Sequence, residues 1–195
     1  MSFESITPFG RIIYHGVERC PYCGKDSMEV TELYYEVPSF GGMILYSYRC
    51  ANCGYKHVDL QYLEAKKWRV YRYTIEDSRD VAETLVFRSK TCRVRSPELG
   101  FTIDPGIAAE AFITTAEGLL YKVLDFAERM LALAETEEER EKIREFMDRV
   151  RKALNGELRF TIVLEDPLGN SLIRPPRGRE SRLVTEELIT EEGEE

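Results

Sequence analysis

The sequence predicts a mainly β, α+β chain in two parts: a small unit organised by four cysteines, then a larger β domain interrupted by a pair of helices. Three observations carry this. Cys20-Pro21-Tyr22-Cys23-Gly24 and Cys50-Ala51-Asn52-Cys53-Gly54 repeat one short pattern. Aromatic and β-branched runs separated by polar turns recur before and after the second copy. Between Thr114 and Asn155 the apolar period changes from two residues to about 3.6.

In each Cys pair, two intervening residues let a tight turn bring both sulfurs to one point, and the following Gly supplies the φ > 0 conformation that closes the turn. Two such knuckles offer four thiolates at the corners of a tetrahedron. That is the closed structural site Zn²⁺ prefers, with no position left for a catalytic water. One structural Zn²⁺ on Cys20, Cys23, Cys50 and Cys53 is therefore expected. Met28 to Val37 and Met43 to Arg49 read as strands around a Pro38–Gly42 break, which is the layout of a zinc ribbon. A thioredoxin-like dithiol is the competing reading, but neither pair opens an obvious helix. Disulfides are the third, and a cytosolic chain keeps its thiols reduced. Four thiolates and one dication leave a net charge of about −2, which Lys25 and Lys56 are near enough in sequence to offset, with a role as ordinary solvated lysines equally open.

Trp68 to Ile75, Glu83 to Phe87 and Thr91 to Arg95 read as strands, and Cys92, lying in one of them, as a small buried hydrophobe. Thr114-Thr115-Ala116-Glu117 fits a capping box that opens a helix with Leu120, Val123, Leu124, Ala127, Leu131 and Ala134 on one stripe. Thr136-Glu137-Glu138-Glu139 opens a second, carrying Ile143, Phe146, Met147, Val150 and Leu154 and stopping at Asn155-Gly156. Strands resume at Leu158 to Glu165 and Ser171 to Arg174, joined by the turn Asp166-Pro167-Leu168-Gly169-Asn170.

Composition sets outer limits. At 195 residues, 43% hydrophobic and 32% charged, the chain can bury a core and is not a disordered one. No stretch is long and apolar enough to span a bilayer, and Met1 to Arg11 has neither a basic nor an apolar signal region, so a soluble cytoplasmic protein with no membrane partner is expected. The net charge of −8 owes much to six acids after position 182; the remainder carries 27 basic against 29 acidic residues. A generic polyanion binder is disfavoured; Lys66 to Tyr73 interleaves bases with aromatics as an RNA-binding sheet would, but a half-exposed strand that packs its aromatics has the same pattern and is the preferred reading. The only histidines, His15 and His57, lie within or beside the Cys pairs, and no P-loop or nucleotide-binding Gly pattern occurs. The β domain therefore has no imidazole for a nucleophile's base or a facial triad, and no enzyme is expected.

Several motifs stand in the order of one known family: the two Cys knuckles, Val37-Pro38-Ser39-Phe40, Leu45 to Cys50, Cys53-Gly54-Tyr55-Lys56, Ser96-Pro97-Glu98-Leu99, Thr114 to Leu120, and Glu165 to Ser171. Through them the chain resembles the ZPR-type zinc-finger family, from Cys20 to Pro175. The resemblance implies a four-cysteine zinc ribbon followed by a double-stranded β-helix, a jelly-roll relative, with the helical hairpin inserted. It also implies the single-module archaeal form, since eukaryotic members carry two modules in tandem.

The expected organisation is an N-terminal segment over 1–17, a zinc ribbon over 18–62, a β-helix domain over 63–176 with a hairpin insertion at about 114–155, and a flexible acidic tail over 177–195. The function the resemblance implies is a non-enzymatic, zinc-dependent protein-interaction module that binds and helps fold translation elongation factor 1-alpha. Asp166, Gly169 and Asn170 are candidate partner-binding residues, with a purely architectural role for that turn equally open. A zinc ribbon that binds tRNA or single strands, through Lys66 to Tyr73 and Arg174 to Arg182, is the alternative.

Overall fold

A computed structural model describes residues 6–7, 10–37, 41–63, 68–106 and 109–187. Pro38, Ser39, Phe40, Lys66, Lys67 and residues 188–195, all invoked above, lie outside them. The chain divides into two compact units, Met1–Ala65 and Lys66–Glu195.

In the first unit, β1 (Ile6–Thr7), β2 (Gly10–Arg19), β3 (Asp26–Val37), β4 (Gly41–Cys50) and β5 (Lys56–Tyr62) form one antiparallel sheet in chain order. Residues 10–19 are thus a full strand of the ribbon sheet and not part of a separate segment. A register shift between Ile12 and Tyr14 breaks their alternation, which hides the strand period from a sequence pattern. The small apolar cluster of this unit comprises Cys20, Met28, Val30 and Cys50, with Cys23, Tyr48 and Tyr55 packed beside it.

The second unit begins with β6 (Arg69–Ile75), α1 (Ser78–Glu83), β7 (Leu85–Arg88), β8 (Arg93–Ser96), β9 (Phe101–Ile103) and β10 (Phe112–Thr115). Then come α2 (Ala116–Leu133), α3 (Glu137–Leu154), β11 (Phe160–Asp166), β12 (Leu172–Arg174), a 3-10 turn at Glu180–Arg182 and β13 (Val184–Glu187). The strands make two sheets, β13-β6-β11-β8-β9 and β10-β7-β12. β6 pairs with the much later β11, and the helical hairpin is inserted between β10 and β11 as expected. Tyr73, Phe160, Ile162 and Leu164 from one sheet, Val86 and Ile173 from the other, and the buried stripe of α2 share one core. Burial of each large side chain there contributes about 1.5–3 kcal/mol.

Local chemistry accounts for most elements and corrects three expectations. Thr136 and Glu139 form the reciprocal capping box at α3. At α2 the cap is Thr115, the last residue of β10, accepting from the Gly118 amide one position later than the expected cap Thr114. Residues 78–83, expected to be a polar turn leading into a strand at Glu83, form α1, capped by Asp77 and pinned by Arg179 and Arg182 from about a hundred positions later. Residues 184–187, assigned to the tail, are β13, paired with β6. Here Glu186 and Glu187 answer Arg72 and Arg69 across the strands, so charge pairing holds a segment that has no apolar pattern.

Candidate metal centre

Cys20 follows β2 and Cys50 ends β4, so the sheet delivers one sulfur of each knuckle from its interior. Both turns are then built alike. The Gly24 amide donates to the Cys20 carbonyl at 2.8 Å and the Gly54 amide to the Cys50 carbonyl at 3.1 Å, while the Cys20 and Cys50 amides donate to Lys25 and Tyr55 carbonyls. Gly24 and Gly54 sit at φ of 69° and 75°, the left-handed turn a side chain would strain. Two bonds tie the turns together, Lys25 Nζ to Asn52 Oδ1 at 3.1 Å and the Ala51 amide to the Ser27 carbonyl at 2.9 Å. Arg19 Nε, donating to the Gly24 carbonyl at 3.0 Å, braces the first turn from its flank.

All four sulfurs lie within 4.8 Å of one another. Cys20 to Cys53 is 3.8 Å and Cys23 to Cys50 is 3.7 Å. Zinc at ~2.3 Å from four tetrahedral sulfurs requires S···S edges of ~3.8 Å, so the donor set fits Zn²⁺ in both chemistry and spacing. A disulfide would need about 2.05 Å, and all five cysteines are free thiols. Cys20, Cys23, Cys50 and Cys53 are positioned to hold one metal ion.

Electrostatics around the sulfurs favours a shared cation. The Ser27 hydroxyl, 3.2 Å from the Cys50 sulfur, and the Cys53 amide draw the Cys50 thiol down to about 6. At Cys53 the Tyr55 amide pulls the other way from Cys50, burial and the remaining sulfurs, which together push that thiol up to about 12. One thiolate is stabilised while the Cys53 thiol resists further negative charge, and a dication removes that conflict. The sequence did not single out Ser27 beside the sulfurs, because the Cys50 it contacts lies on the neighbouring strand. Cys92, by contrast, is buried in the second unit, where burial pushes its thiol up to about 12. His57 stacks on Tyr48 and Tyr55, and His15 meets Thr31 and Glu29; neither belongs to the sulfur cluster.

The candidate partner turn is a different kind of site. Asp166 is fully buried and accepts from the Ser89, Thr91 and Ser171 hydroxyls at 2.6–2.7 Å and from the Leu168 amide at 3.1 Å. Gly169 is buried and donates to the Asp166 carbonyl, Asn170 is half-buried, and Leu168 at the tip is 56% exposed. Four of the arginines named for nucleic acid are engaged within the unit. Arg69 and Arg72 pair with Glu187 and Glu186, Arg179 and Arg182 with Asp77 and Asp80, while Tyr71 and Tyr73 are buried. No described helix is long and apolar enough to cross a membrane.

Comparison with known proteins agrees with this geometry. Residues 13–65 match the ZPR1 zinc-finger domain and residues 79–195 the ZPR1 jelly-roll domain. The chain is similar to a ZPR1-like protein of Methanocaldococcus jannaschii, 34% identical over 171 residues that cover 87% of this chain and 85% of the relative. A ZPR1-like protein of Pyrococcus horikoshii is 30% identical over 87% of this chain and 77% of its own length. The zinc finger chaperone zpr1 of Schizosaccharomyces pombe is 31% identical over 83% of this chain, which spans only 35% of that longer protein. With four thiolates at zinc spacing, a jelly-roll unit carrying inserted helices, and archaeal relatives matched over most of their length, the chain belongs to the ZPR1 family.

Proposed function

We propose that this protein is a non-enzymatic cytoplasmic chaperone module whose zinc ribbon and exposed β surfaces bind translation elongation factor 1-alpha and assist its folding. The observation that carries this is the closed four-cysteine centre. All four sulfurs are committed to one structural ion, so the metal stiffens a binding platform and leaves no coordination position for chemistry. The chaperone name borne by the fission yeast relative points the same way. The turn at Asp166–Ser171 forms part of the proposed surface, with Asp166 positioning it from inside, Gly169 allowing its bend, and Leu168 and Asn170 presenting the contact. Nucleic-acid binding has no comparable support, since Arg69, Arg72, Arg179 and Arg182 among the arginines named for it are held by carboxylates.

The test is refolding of denatured elongation factor 1-alpha with the purified full-length protein, read as recovered guanine-nucleotide binding. Recovery rises with the zinc-loaded wild type and falls to the unassisted level with Cys50→Ser. Unassisted recovery with zinc-loaded wild type, together with no complex on gel filtration, would reject this client.

A further inference from the structure

The face of the ribbon sheet that carries the metal knuckles also carries a cross-strand row that the metal site does not explain. Register places Tyr14 (β2), Glu32 (β3), Tyr46 (β4) and Asp59 (β5) side by side. The adjoining row towards the metal is Gly16, Val30, Tyr48 and His57. Tyr46 and Tyr48 are nearly parallel, with centroids 6.4 Å apart and an interplanar angle of 7°, and the stack continues through His57 and Tyr55 to Tyr22 beside the first knuckle. The Tyr46 ring is fixed by a 2.8 Å hydrogen bond from its hydroxyl to Gln61. Glu32 and Asp59 flank it from the neighbouring strands, one strand spacing of about 4.8 Å to either side.

An aromatic face between two carboxylates attracts a cation twice over, through the ring quadrupole and through charge. Arginine suits it better than lysine, because a planar guanidinium stacks on the ring and still points N–H groups outward at carboxylates on both sides. Phosphate is repelled by these acids, and Glu18 lies on the same face. Among the described residues, register sets two arginines on it: Arg11 at the end away from the metal, and Arg19 beside the first knuckle, held to the Gly24 carbonyl. Stacked aromatics on a sheet also suit unpaired bases, but those platforms come with cations along the backbone track, and the Tyr46 row comes with acids. Resting on the interaction-module reading above, we propose that the Tyr46 row binds an arginine side chain of a basic segment on the partner protein, the guanidinium lying over the Tyr46 ring and hydrogen-bonded to Glu32 and Asp59.

The test titrates zinc-loaded full-length protein with a peptide of alternating Arg and Gly and with its citrulline counterpart, following the tyrosine ring resonances. The proposal predicts saturable binding that shifts the Tyr46 signals. Affinity should fall at least ten-fold for citrulline, for the Glu32→Gln/Asp59→Asn pair and for Tyr46→Leu, and stay unchanged for Glu137→Gln/Glu141→Gln on α3, which removes the same charge elsewhere. Equal affinity for the citrulline peptide, or an unaltered affinity in Glu32→Gln/Asp59→Asn, overturns it, as does preferential binding of oligouridylate. Should a variant lose its zinc, the arginine-against-citrulline comparison on wild type still decides. Refolding assistance by wild type without any arginine-peptide binding would sink this site and leave the chaperone reading standing; peptide binding without assistance to any client would do the reverse.

Discussion

The two units reach a fixed structure by different means. In the second, a continuous cluster of 22 buried residues joins both sheets to the helical hairpin, and its large aromatic and aliphatic members have almost no exposure. In the first, the corresponding cluster has four members among the described residues, two of which are Cys20 and Cys50 of the metal centre. Apolar burial of a few side chains cannot offset the ordering of a five-stranded sheet, at roughly 1–2 kcal/mol of backbone entropy per residue. The ribbon therefore depends on its ion in a way the jelly-roll unit does not. Metal centre and aromatic face share one sheet, so the surface proposed for a partner is also the part whose order zinc removal should take away.

The sharpest way to break this contrast is to remove the metal. Chelation of zinc, or Cys50→Ser, should cost the ribbon on the order of 10 kcal/mol, the scale of structural zinc in small domains. Amides of β2 to β5 should lose hydrogen-exchange protection, while β6, β11 and α2 keep theirs. Equal loss in both units would mean that they fold as one cooperative body.

An intermediate effect is expected from the second unit's buried ion network. Burial by itself would raise the Asp80 carboxyl, but hydrogen bonds from Tyr73, the Glu76 amide, Arg179 and Arg182 outweigh it and hold it below the ordinary carboxylate range. The bidentate Arg179 does the same to Asp77 more strongly. A carboxylate depressed in the folded state contributes stability above its unfolded value of about 3.9, and that contribution is lost as the pH falls through the lower folded value. Below about pH 4 the jelly-roll unit should thus weaken through these two groups. Asp80→Ala should destabilise it by about 3 kcal/mol at neutral pH, since two arginines lose a buried partner, and should flatten the acid dependence. Denaturant melts from pH 2 to 7 measure both; zinc content should not change.

The smallest effect is expected at the start of α3. Thr136→Ala removes one half of the capping box and should cost about 1 kcal/mol in the second unit alone, read from the same melts.

What was legible in the sequence follows the same division. The metal site was, because its chemistry is local: two Cys-x-x-Cys-Gly turns carry their own geometry wherever they are placed. The helical hairpin was too, through the Thr136 box and the stripe of α2. Elements held by distant partners were not. α1 rests on arginines 179 and 182, and β13 is a polar strand stabilised by Arg69 and Arg72, so both look like solvated charge from within their own windows. The start of α2 was displaced by one residue because Thr114 and Thr115 offer the same cap chemistry, and only the pairing of β10 with β7, which runs through Thr115, sets where the helix begins. The turn at Asp166 was visible as a turn, but the three hydroxyls that bury its carboxylate come from positions 89, 91 and 171, and only the fold assembles them. Likewise the Tyr14, Glu32, Tyr46 and Asp59 row exists only through register across four strands.

The dependence of the ribbon on its ion is tested most directly by zinc-edge X-ray absorption on the full-length protein, combined with elemental stoichiometry. One zinc per chain with four sulfur neighbours at ~2.3 Å is the predicted result. Much less than one equivalent, or nitrogen and oxygen in the shell, in protein whose β2 to β5 amides remain protected, would contradict it.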